Sequence, residues 1–415
     1  MPVLDGLRDV LRPAVTLCLE LHRHPELSGA ERRTAARLGA WLRDAGYEVT
    51  GGIGGHGVVG VLCNGDGPRV MIRAELDALP VRERTGLPYA SRGPAAHACG
   101  HDLHLAAAAG AATLLSRGRD HWRGTAVIVG QPAEETLTGA RAMLADGLYE
   151  RFGRPDVVLA QHTVPLPAGM VAHGYGPMLA GSVGLEAVIH GRGGHAGTPH
   201  LAVDPVVTGA AAVLRLQSTV SREAAPTESV VVHVGSFHAG TSGNVISDRA
   251  ELAVTVRALS QRSLDRTALA VERVIRAECA ASGCPRDPDI AVVSRSPVTH
   301  PDPAATARVR EAHVRLLGAE RVTAWHPSMA TEDFPFYGDA GTATHGMPGI
   351  ALSYWMLGAV GPAAWARLPG TAEEKLAALP PNHSPEFAPD VRTALPTGIS
   401  AMTAAALSWL ASAAP

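Results

Sequence analysis

Two short segments of the chain combine side chains that bind transition metals. His97-Ala98-Cys99-Gly100-His101-Asp102 places a thiol between two imidazoles and ends in a carboxylate. Further along, Gln131-Pro132-Ala133-Glu134-Glu135 pairs two carboxylates behind the strand-like run Thr125–Gly130. Thiolate, imidazole and carboxylate groups together select a divalent transition metal, and a spare carboxylate beside such a site can accept a proton from water. The two segments predict a metallohydrolase.

Each candidate also has a structural alternative. Taken alone, Cys99 is more often a buried thiol and His101 a hydrogen-bonded core histidine. For Glu134 and Glu135 the structural alternative is a position in a solvent-exposed loop. Both pairs lie next to predicted buried elements, and this position favours a metal site over the structural alternatives. Because adjacent residues point in different directions, one glutamate can bind metal while the other faces the water.

Predicted strands end next to the candidates. A helix over Leu103–Ser116 separates the first two strands, and His383 is a weaker candidate ligand by itself. In an open α/β sheet, ligands bind beyond the carboxyl ends of the strands, so this order predicts an α/β fold with the site at that edge. The strands and the residues that follow them are Arg69–Leu76 before Asp77, Gly124–Gly130 before the glutamate pair, and Asp156–Gln161 before His162.

From about residue 181 the pattern changes to that of a second domain. Its elements follow the order β-α-β-β-α-β of a ferredoxin-like unit. We therefore expect a discontinuous metal-binding catalytic domain over residues 1–180 and 296–415, with an inserted lid or dimerisation domain over residues 181–295. The elements are Ser182–His190, Asp204–Ser221, Ser229–Phe237, Ala250–Ala258, Ser263–Ser282 and Ile290–Ser294.

The N-terminal segment is predicted to form two helices. The first covers Leu4–Leu21, and Ser28 with Glu31 matches the capping box of a second helix that runs to about Ala45. A G-x-G-x-x-G pattern within Gly51–Gly60 precedes a strand instead of a helix, which excludes a dinucleotide site.

Composition excludes several classes of protein. The 415-residue chain is 46% hydrophobic and 18% charged, with a net charge of −3, which is typical of a globular protein and gives no support for nucleic-acid binding. The longest apolar stretch, Leu103–Leu115, is too short to span a membrane. The N-terminus lacks the apolar core of a signal peptide, and five irregularly spaced cysteines disfavour a disulfide framework, so we expect a cytoplasmic setting.

A series of motifs occurs in the order found in one known family. The motifs are His22-Arg23-His24-Pro25-Glu26-Leu27, Ala74-Glu75-Leu76-Asp77-Ala78-Leu79-Pro80, His97–Asp102, Gln131–Glu135, Gly193-Gly194-His195, Asn244-Val245-Ile246-Ser247-Asp248 and Thr331-Glu332-Asp333-Phe334. Together they resemble the amidohydrolase branch of the aminoacylase/carboxypeptidase-type co-catalytic metallopeptidase family, which holds N-acyl-amino-acid deacylases, hippurate hydrolases and auxin-conjugate hydrolases.

The resemblance implies roles for residues of the first domain. Glu134 is expected as the general base and Asp77 as a carboxylate behind the ligands, while Cys99 replaces an aspartate that bridges two metals elsewhere in the family. The cofactors are expected to be two divalent ions, zinc or manganese first and cobalt or nickel as alternatives. The implied metal ligands are Cys99, His101, Glu135, His162 and His383.

The resemblance also implies roles for the inserted domain. His195 and Asn244 are expected to hold the scissile carbonyl, with His195 supplied by the partner subunit of a homodimer, and Arg257 is expected to grip the substrate's free carboxylate. Two positions depart from the branch. Glu75 stands where an aspartate is usual, and His383 is followed by Ser384 instead of asparagine.

The resulting expectation is a metal-dependent amidohydrolase that cleaves N-acyl amino acids or related amide conjugates through a metal-activated water. A metallopeptidase for di- and tripeptides is the alternative within the family. A metal-free thiol hydrolase built on Cys99 and a non-catalytic metal- or ligand-binding protein are alternatives of other classes.

Overall fold

The helices and strands follow the apolar pattern of the sequence. In the first helix Val10, Ala14, Leu17 and Leu21 recur every three or four residues and are buried, as in an amphipathic helix. The central strands are almost continuous aliphatic runs, as expected when helices cover both faces of a sheet. The computed structural model describes residues 1–412.

The strands, in chain order, are β1 (Glu48–Ile53), β2 (Gly57–Asn64), β3 (Arg69–Glu75), β4 (Trp122–Gln131), β5 (Val157–Pro167), β6 (Val171–His173), β7 (Gly181–His190), β8 (Gly194–His195), β9 (Val230–Ala239), β10 (Val245–Ile246), β11 (Arg249–Ala258), β12 (Asp289–Ser296), β13 (Val322–Ala324), β14 (Ala351–Val360) and β15 (Ala411–Ser412).

The helices are α1 (Leu7–Arg23), α2 (Arg32–Asp44), α3 (His101–Arg117), α4 (Gly139–Ala145), α5 (Leu148–Phe152), α6 (Pro205–Ser218), α7 (Gln261–Ala281), α8 (Pro303–Leu317), α9 (Thr342–His345), α10 (Pro362–Arg367), α11 (Ala372–Ala378) and α12 (Val391–Trp409).

The first of two compact units comprises Met1–Gly176, Pro301–His326 and the chain from Asp333 onward. Its sheet has the order β1-β2-β4-β3-β5-β14-β6-β13, with β15 beside β4. The central neighbours β4, β3, β5 and β14 are parallel. Helix α3 is rich in alanine, buried along most of its length, and packs against α1 and α12. The predicted α/β fold with a mostly parallel sheet is confirmed.

The second unit comprises Pro177–His300 and Pro327–Glu332. Its antiparallel sheet has the order β12-β7-β11-β9, and α6 and α7 complete the β-α-β-β-α-β sequence of a ferredoxin-like unit. Alternate residues of β11 are buried, which places one face of this sheet in an aliphatic core. The predicted domain limits and the lid or dimerisation role stay predictions.

Two local predictions need correction. The capping box is wrong, because α2 begins at Arg32 and Ser28 and Glu31 bond elsewhere. The run Trp355–Pro369 is rich in glycine, alanine and proline, which predicts a loop, but residues 355–360 belong to buried strand β14. The sequence also predicts a terminal helical region over Pro389–Ala413, which contains α12, and Ala413 lies outside the described residues. Within residues 1–412, no helix has the length and apolar character that crossing a membrane requires.

Candidate metal centre

The predicted ligands of the first unit converge where β4 ends and α3 begins, next to the middle of β5. Cys99 precedes α3 and His101 is its first residue, while Glu134 and Glu135 lie in the turn after β4. His162 lies inside β5 and not after it as predicted, although it is beyond the part of β5 that pairs with β3. The fold therefore brings residues from distant parts of the chain to one edge of the sheet.

Two groups of donor atoms share the sulfur of Cys99. One joins it to His101 and His162, the other to Glu135 and His383, and the donor atoms of each group lie within 4.8 Å of one another. The sulfur is 3.3 Å from Nε2 of His162 and 3.3 Å from Nε2 of His383. Ligands about 2.0–2.3 Å from a tetrahedral zinc lie about 3.5 Å from each other, so these separations suit metal binding. A sulfur shared by two groups fits two neighbouring ions.

His101 directs one ring nitrogen towards the glutamate pair. Its Nδ1 lies 2.9 Å from the backbone carbonyl of Asp77, which can only accept, so Nδ1 carries the proton. Its Nε2 is buried, makes no hydrogen bond, and lies 3.8 Å from both Oε2 of Glu134 and Oε1 of Glu135. A buried imidazole nitrogen facing two carboxylates is the arrangement of a metal ligand, and the residues therefore fit a divalent cation.

Asp77 connects the segments that carry the candidate ligands. Its Oδ2 accepts hydrogen bonds from Oγ of Ser28 at 2.8 Å and from the backbone N–H of Glu135 at 2.9 Å. Its Oδ1 lies 3.3 Å from Nδ1 of His101. Asp77 thus fixes the orientation of the His101 ring and of the turn that carries Glu135, which is the position behind the ligands predicted for it.

Burial and neighbouring charges shift the pKa values of these groups. Burial and the Glu135 carboxylate raise the pKa of the Cys99 thiol to about 12. Burial disfavours the His101 imidazolium, but its contacts with Asp77 and Cys99 outweigh this and raise its pKa. Burial acts against the Asp77 carboxylate, but His101 and the Glu135 N–H outweigh it and lower its pKa. A cation would favour the thiolate and the neutral imidazole that ligation requires.

Glu75 lies behind the donor atoms in a buried network. Its Oε2 accepts a hydrogen bond from Nδ1 of His104 at 2.9 Å, and its Oε1 pairs with Arg73. The N–H of Thr163 donates to Nε2 of His104 at 2.7 Å, which places the His104 proton on Nδ1. Burial opposes ionisation, but Arg73 and His104 hold the pKa of Glu75 well below its ordinary value. The Glu75 side chain, which is longer than the usual aspartate, therefore pairs with Arg73 and His104.

The loop that carries His383 is tied to the start of α3. The N–H of His383 donates to the carbonyl of Ala98 at 2.8 Å, and Nδ2 of Asn382 donates to the carbonyls of Thr163 and Cys99 at 2.9 and 3.3 Å. The His383 side chain is 55% exposed, whereas the other candidate metal ligands are buried or half-buried. Sequence reasoning did not identify Asn382. Its amide, directly before a predicted ligand, was the available signal.

Gly100 separates Cys99 from His101, and no other residue fits there. Its φ is +84°, and a Cβ at this position would lie 2.2 Å from Oγ1 of Thr163. The same hydroxyl donates to the carbonyl of Cys99 at 2.9 Å. The glycine therefore allows α3 to begin at His101 while Thr163 of β5 approaches closely.

The remaining candidates lie in the second unit. His195 and Asn244 are exposed and line one open groove of about 830 Å³, and β8 pairs with β10 beside them. Nδ1 of His195 accepts a hydrogen bond from the N–H of Gly197 at 3.0 Å. Half-buried Arg257 lies on β11 and donates from Nη1 to the carbonyl of Met329 at 2.6 Å. The fold thus groups His195 with Asn244, and Arg257 lies apart from that groove.

The fold and the donor groups define the class of protein as an α/β metallohydrolase with a separate α+β unit. Residues 71–375 match the model of peptidase family M20/M25/M40. The chain belongs to this family, which confirms the family predicted from the motifs.

Curated relatives specify the branch. A hippurate hydrolase of Campylobacter jejuni is 37% identical over 77% of this chain and 83% of its own length. An N-acetylcysteine deacetylase of Bacillus subtilis is 36% identical over 77% of this chain and 83% of its own length. The IAA-amino acid hydrolase ILR1-like 4 of Arabidopsis thaliana is 35% identical over 77% of this chain and 73% of its own length. The predicted amidohydrolase class is therefore confirmed.

A solved structure agrees with this assignment. The Bacillus subtilis YXEP protein, described as a dinuclear metal-binding peptidase of the M20 family, superposes with a TM-score of 0.76 at 28% identity, over 97% of this chain and 99% of that one. Two divalent metals are thus supported, and their identity stays a prediction. His383 lies beyond the residues matched by the family model.

Proposed function

We propose that this chain hydrolyses the amide bond of N-acyl amino acids or closely related conjugates. The curated relatives are named for hippurate, N-acetylcysteine and IAA–amino acid substrates, which all join an acyl group to an amino acid. The observation that carries the proposal is the sharing of the Cys99 sulfur by two donor groups beside Glu134. Two ions held there would lie next to Glu134, which is in neither of these two groups and forms a further donor group with His101 and Glu135.

The candidate ligands would hold zinc or manganese, with cobalt or nickel as alternatives. Thiolate and imidazole ligands favour zinc and cobalt, and the carboxylate is acceptable to all four metals. When bound, such ions polarise the scissile carbonyl and lower the pKa of water towards about 7. The residues are Cys99, His101, Glu135, His162 and His383.

Glu134 would act as the general base. Its side chain is buried and its Oε2 lies 3.8 Å from Nε2 of His101, at the edge of the donor groups. The Asp77 contact to the N–H of Glu135 fixes the neighbouring residue, so the two adjacent carboxylates keep separate positions. Glu134 would accept a proton from the attacking water and deliver it to the leaving nitrogen.

The second unit would contribute groups that hold the substrate. Because Nδ1 of His195 accepts a hydrogen bond, neutral His195 carries its proton on Nε2 and can donate to the oxyanion. Asn244 would hold the scissile carbonyl. Arg257 uses one nitrogen on Met329 and has further N–H groups for a substrate carboxylate. We propose that His195 of the partner subunit completes each site in a homodimer.

Cysteine chemistry supports two parts of the proposal. The pKa of Cys99 near 12 disfavours a thiolate nucleophile in the absence of metal, which argues against a thiol hydrolase. All five cysteines lie within the described residues and none forms a disulfide. This is typical of a reducing compartment and supports the proposed cytoplasmic setting.

Metal dependence and substrate class can be tested together. Protein dialysed against a chelator should lose activity on N-acetyl and N-benzoyl amino acids, and Zn²⁺, Mn²⁺, Co²⁺ or Ni²⁺ added singly should restore it. Di- and tripeptides in the same panel test the peptidase alternative. Full activity in protein shown to be metal-free would contradict the proposal, and preference for peptides over all acyl amino acids would replace its substrate class.

A further inference from the structure

The turn that carries Glu134 begins with an uncommon backbone conformation. Ala133 has a φ of +51°, in the left-handed region that residues with a Cβ rarely adopt. The turn is closed by a hydrogen bond of 2.7 Å from the N–H of Leu137 to the carbonyl of Glu134. An alanine stays in this conformation only when its surroundings favour it.

The buried carboxylate of Glu31 contacts this alanine directly. Oε1 of Glu31 accepts hydrogen bonds from the N–H of Ala133 and from the N–H of Gly29, each 2.8 Å long. Glu31 is 0% exposed, so its carboxylate has left water to make these contacts.

The other side of Ala133 is held as well. Its carbonyl accepts hydrogen bonds from the N–H of Thr138 at 3.2 Å and of Gly139 at 3.1 Å. The N–H and the carbonyl belong to the two peptide groups that flank the Cα of Ala133. Fixing both groups fixes φ and ψ, and these angles set the direction in which the next residue, Glu134, leaves the end of β4.

We propose that Glu31 is a positioning residue: its carboxylate holds Ala133 in the left-handed conformation and thereby directs the Glu134 side chain. The inference rests on the proposed role of Glu134 as general base. In the sequence Glu31 matches a capping-box residue of α2, but in the structure its Oε1 accepts from the N–H of Gly29 and from the N–H of Ala133 in the turn that carries Glu134.

A comparison of substitutions tests the proposal. Glu31→Leu should lower kcat by about 10- to 100-fold, since small misplacements of a reacting group cost that much, with KM nearly unchanged and both metals retained. Glu31→Gln keeps an acceptor oxygen and should recover most of the loss. Glu26→Leu is the matched control. It removes the 2.8 Å contact of Glu26 with the N–H of Thr34 in α2 without touching the turn, so it should lower Tm but not kcat.

The decisive test compares the effect of Glu31→Leu in the wild-type protein and in the Ala133→Gly protein. Glycine adopts the left-handed conformation without a steric cost, so it needs Glu31 less. The loss of kcat from Glu31→Leu should therefore be several-fold smaller in the Ala133→Gly protein than in the wild type. Equal losses in the two backgrounds, or a loss explained by missing metal, would overturn the proposal. If Glu31→Leu does not fold, Glu31→Asp, which withdraws the carboxylate by one methylene, is judged by the same criteria.

Hydrogen exchange separates this proposal from the proposed function. The N–H of Ala133 should exchange faster in Glu31→Leu than in Glu31→Gln, whatever Glu134 does. Unchanged exchange would contradict the contact itself. If Glu134→Gln retains turnover, the general-base assignment fails. If Glu134→Gln loses turnover while Glu31→Leu keeps full kcat, only the positioning role fails.

Discussion

The candidate residues of the two units differ in how firmly the fold holds them. In the first unit Asp77, His101 and Glu134 are 0%, 1% and 5% exposed, and buried polar contacts fix Asp77 and His101. In the second unit His195 and Asn244 are exposed, His195 on a two-residue strand and Asn244 directly before another, and both make local contacts. The difference indicates that the buried groups proposed to act in bond cleavage are preorganised, whereas the groups proposed to hold the substrate lie on a more exposed surface.

The largest effect in the second unit is expected at His195. Removal of a donor to an oxyanion costs about 10²–10³-fold in kcat, so His195→Ala should lose activity to that extent. Metal content should be unchanged, since the ligands lie in the first unit. Loss of metal in this variant would contradict the proposal that the first unit alone binds the metals and the second unit holds the substrate.

Mixing inactive subunits tests whether His195 acts across a dimer. A dimer of one Glu134→Gln and one His195→Ala subunit would contain one site with both lesions and one with neither. After random exchange, about a quarter of wild-type activity should return. No recovery after proven exchange would show that His195 acts within its own chain or not at all.

A smaller effect is expected at Arg257. Lysine keeps the charge but cannot form the two parallel hydrogen bonds of a guanidinium with a carboxylate. Arg257→Lys should raise KM for N-acyl amino acids about tenfold and change little for the matching amides that lack the free acid. Equal changes for both kinds of substrate would mean that Arg257 is a structural residue held by Met329.

The smallest effect is on stability, and it compares the units directly. In the first unit His22 lies between Asp102, 2.8 Å away, and Glu83, 3.1 Å away. Burial disfavours its imidazolium, but the two carboxylates outweigh this and raise its pKa from 6.5 to about 10. A raised folded pKa adds stability that is complete below about pH 6.5 and is lost as the pH rises towards 10.

Urea unfolding of the metal-free protein at several pH values checks this. The free energy of unfolding of the wild type should exceed that of His22→Gln most near pH 6 and progressively less towards about pH 10. His190 of the second unit, 2.8 Å from exposed Asp289, is the matched control, and His190→Gln should change stability by about 1 kcal/mol or less. A constant difference for His22→Gln would contradict the buried ion pair.

Much of the fold and site could be predicted because the signals were local. Aliphatic runs identified β3 and β4, and residues placed after such runs, like Glu134, lie where parallel strands end. The His97–Asp102 and Gln131–Glu135 motifs identified residues that the fold indeed brings together, because ligand types and spacing are written in the sequence.

What could not be predicted depends on contacts between distant segments. Ser28 and Glu31 match a capping box, but a serine and a glutamate bond equally well to any nearby partner, and the fold supplies Asp77 and Ala133 instead. Likewise the sequence of α1 does not predict that His22 is buried in contact with Asp102.

The central claim is that Glu135 binds metal while its neighbour Glu134 moves the proton. Metal content by mass spectrometry and kcat, measured in parallel on Glu134→Gln and Glu135→Gln, test it most directly. Glu134→Gln should retain two metals per chain and lose roughly 10²–10⁴-fold in kcat, whereas Glu135→Gln should lose metal at the same free concentration. Equal loss of metal from both variants, or full turnover by Glu134→Gln, would contradict the account.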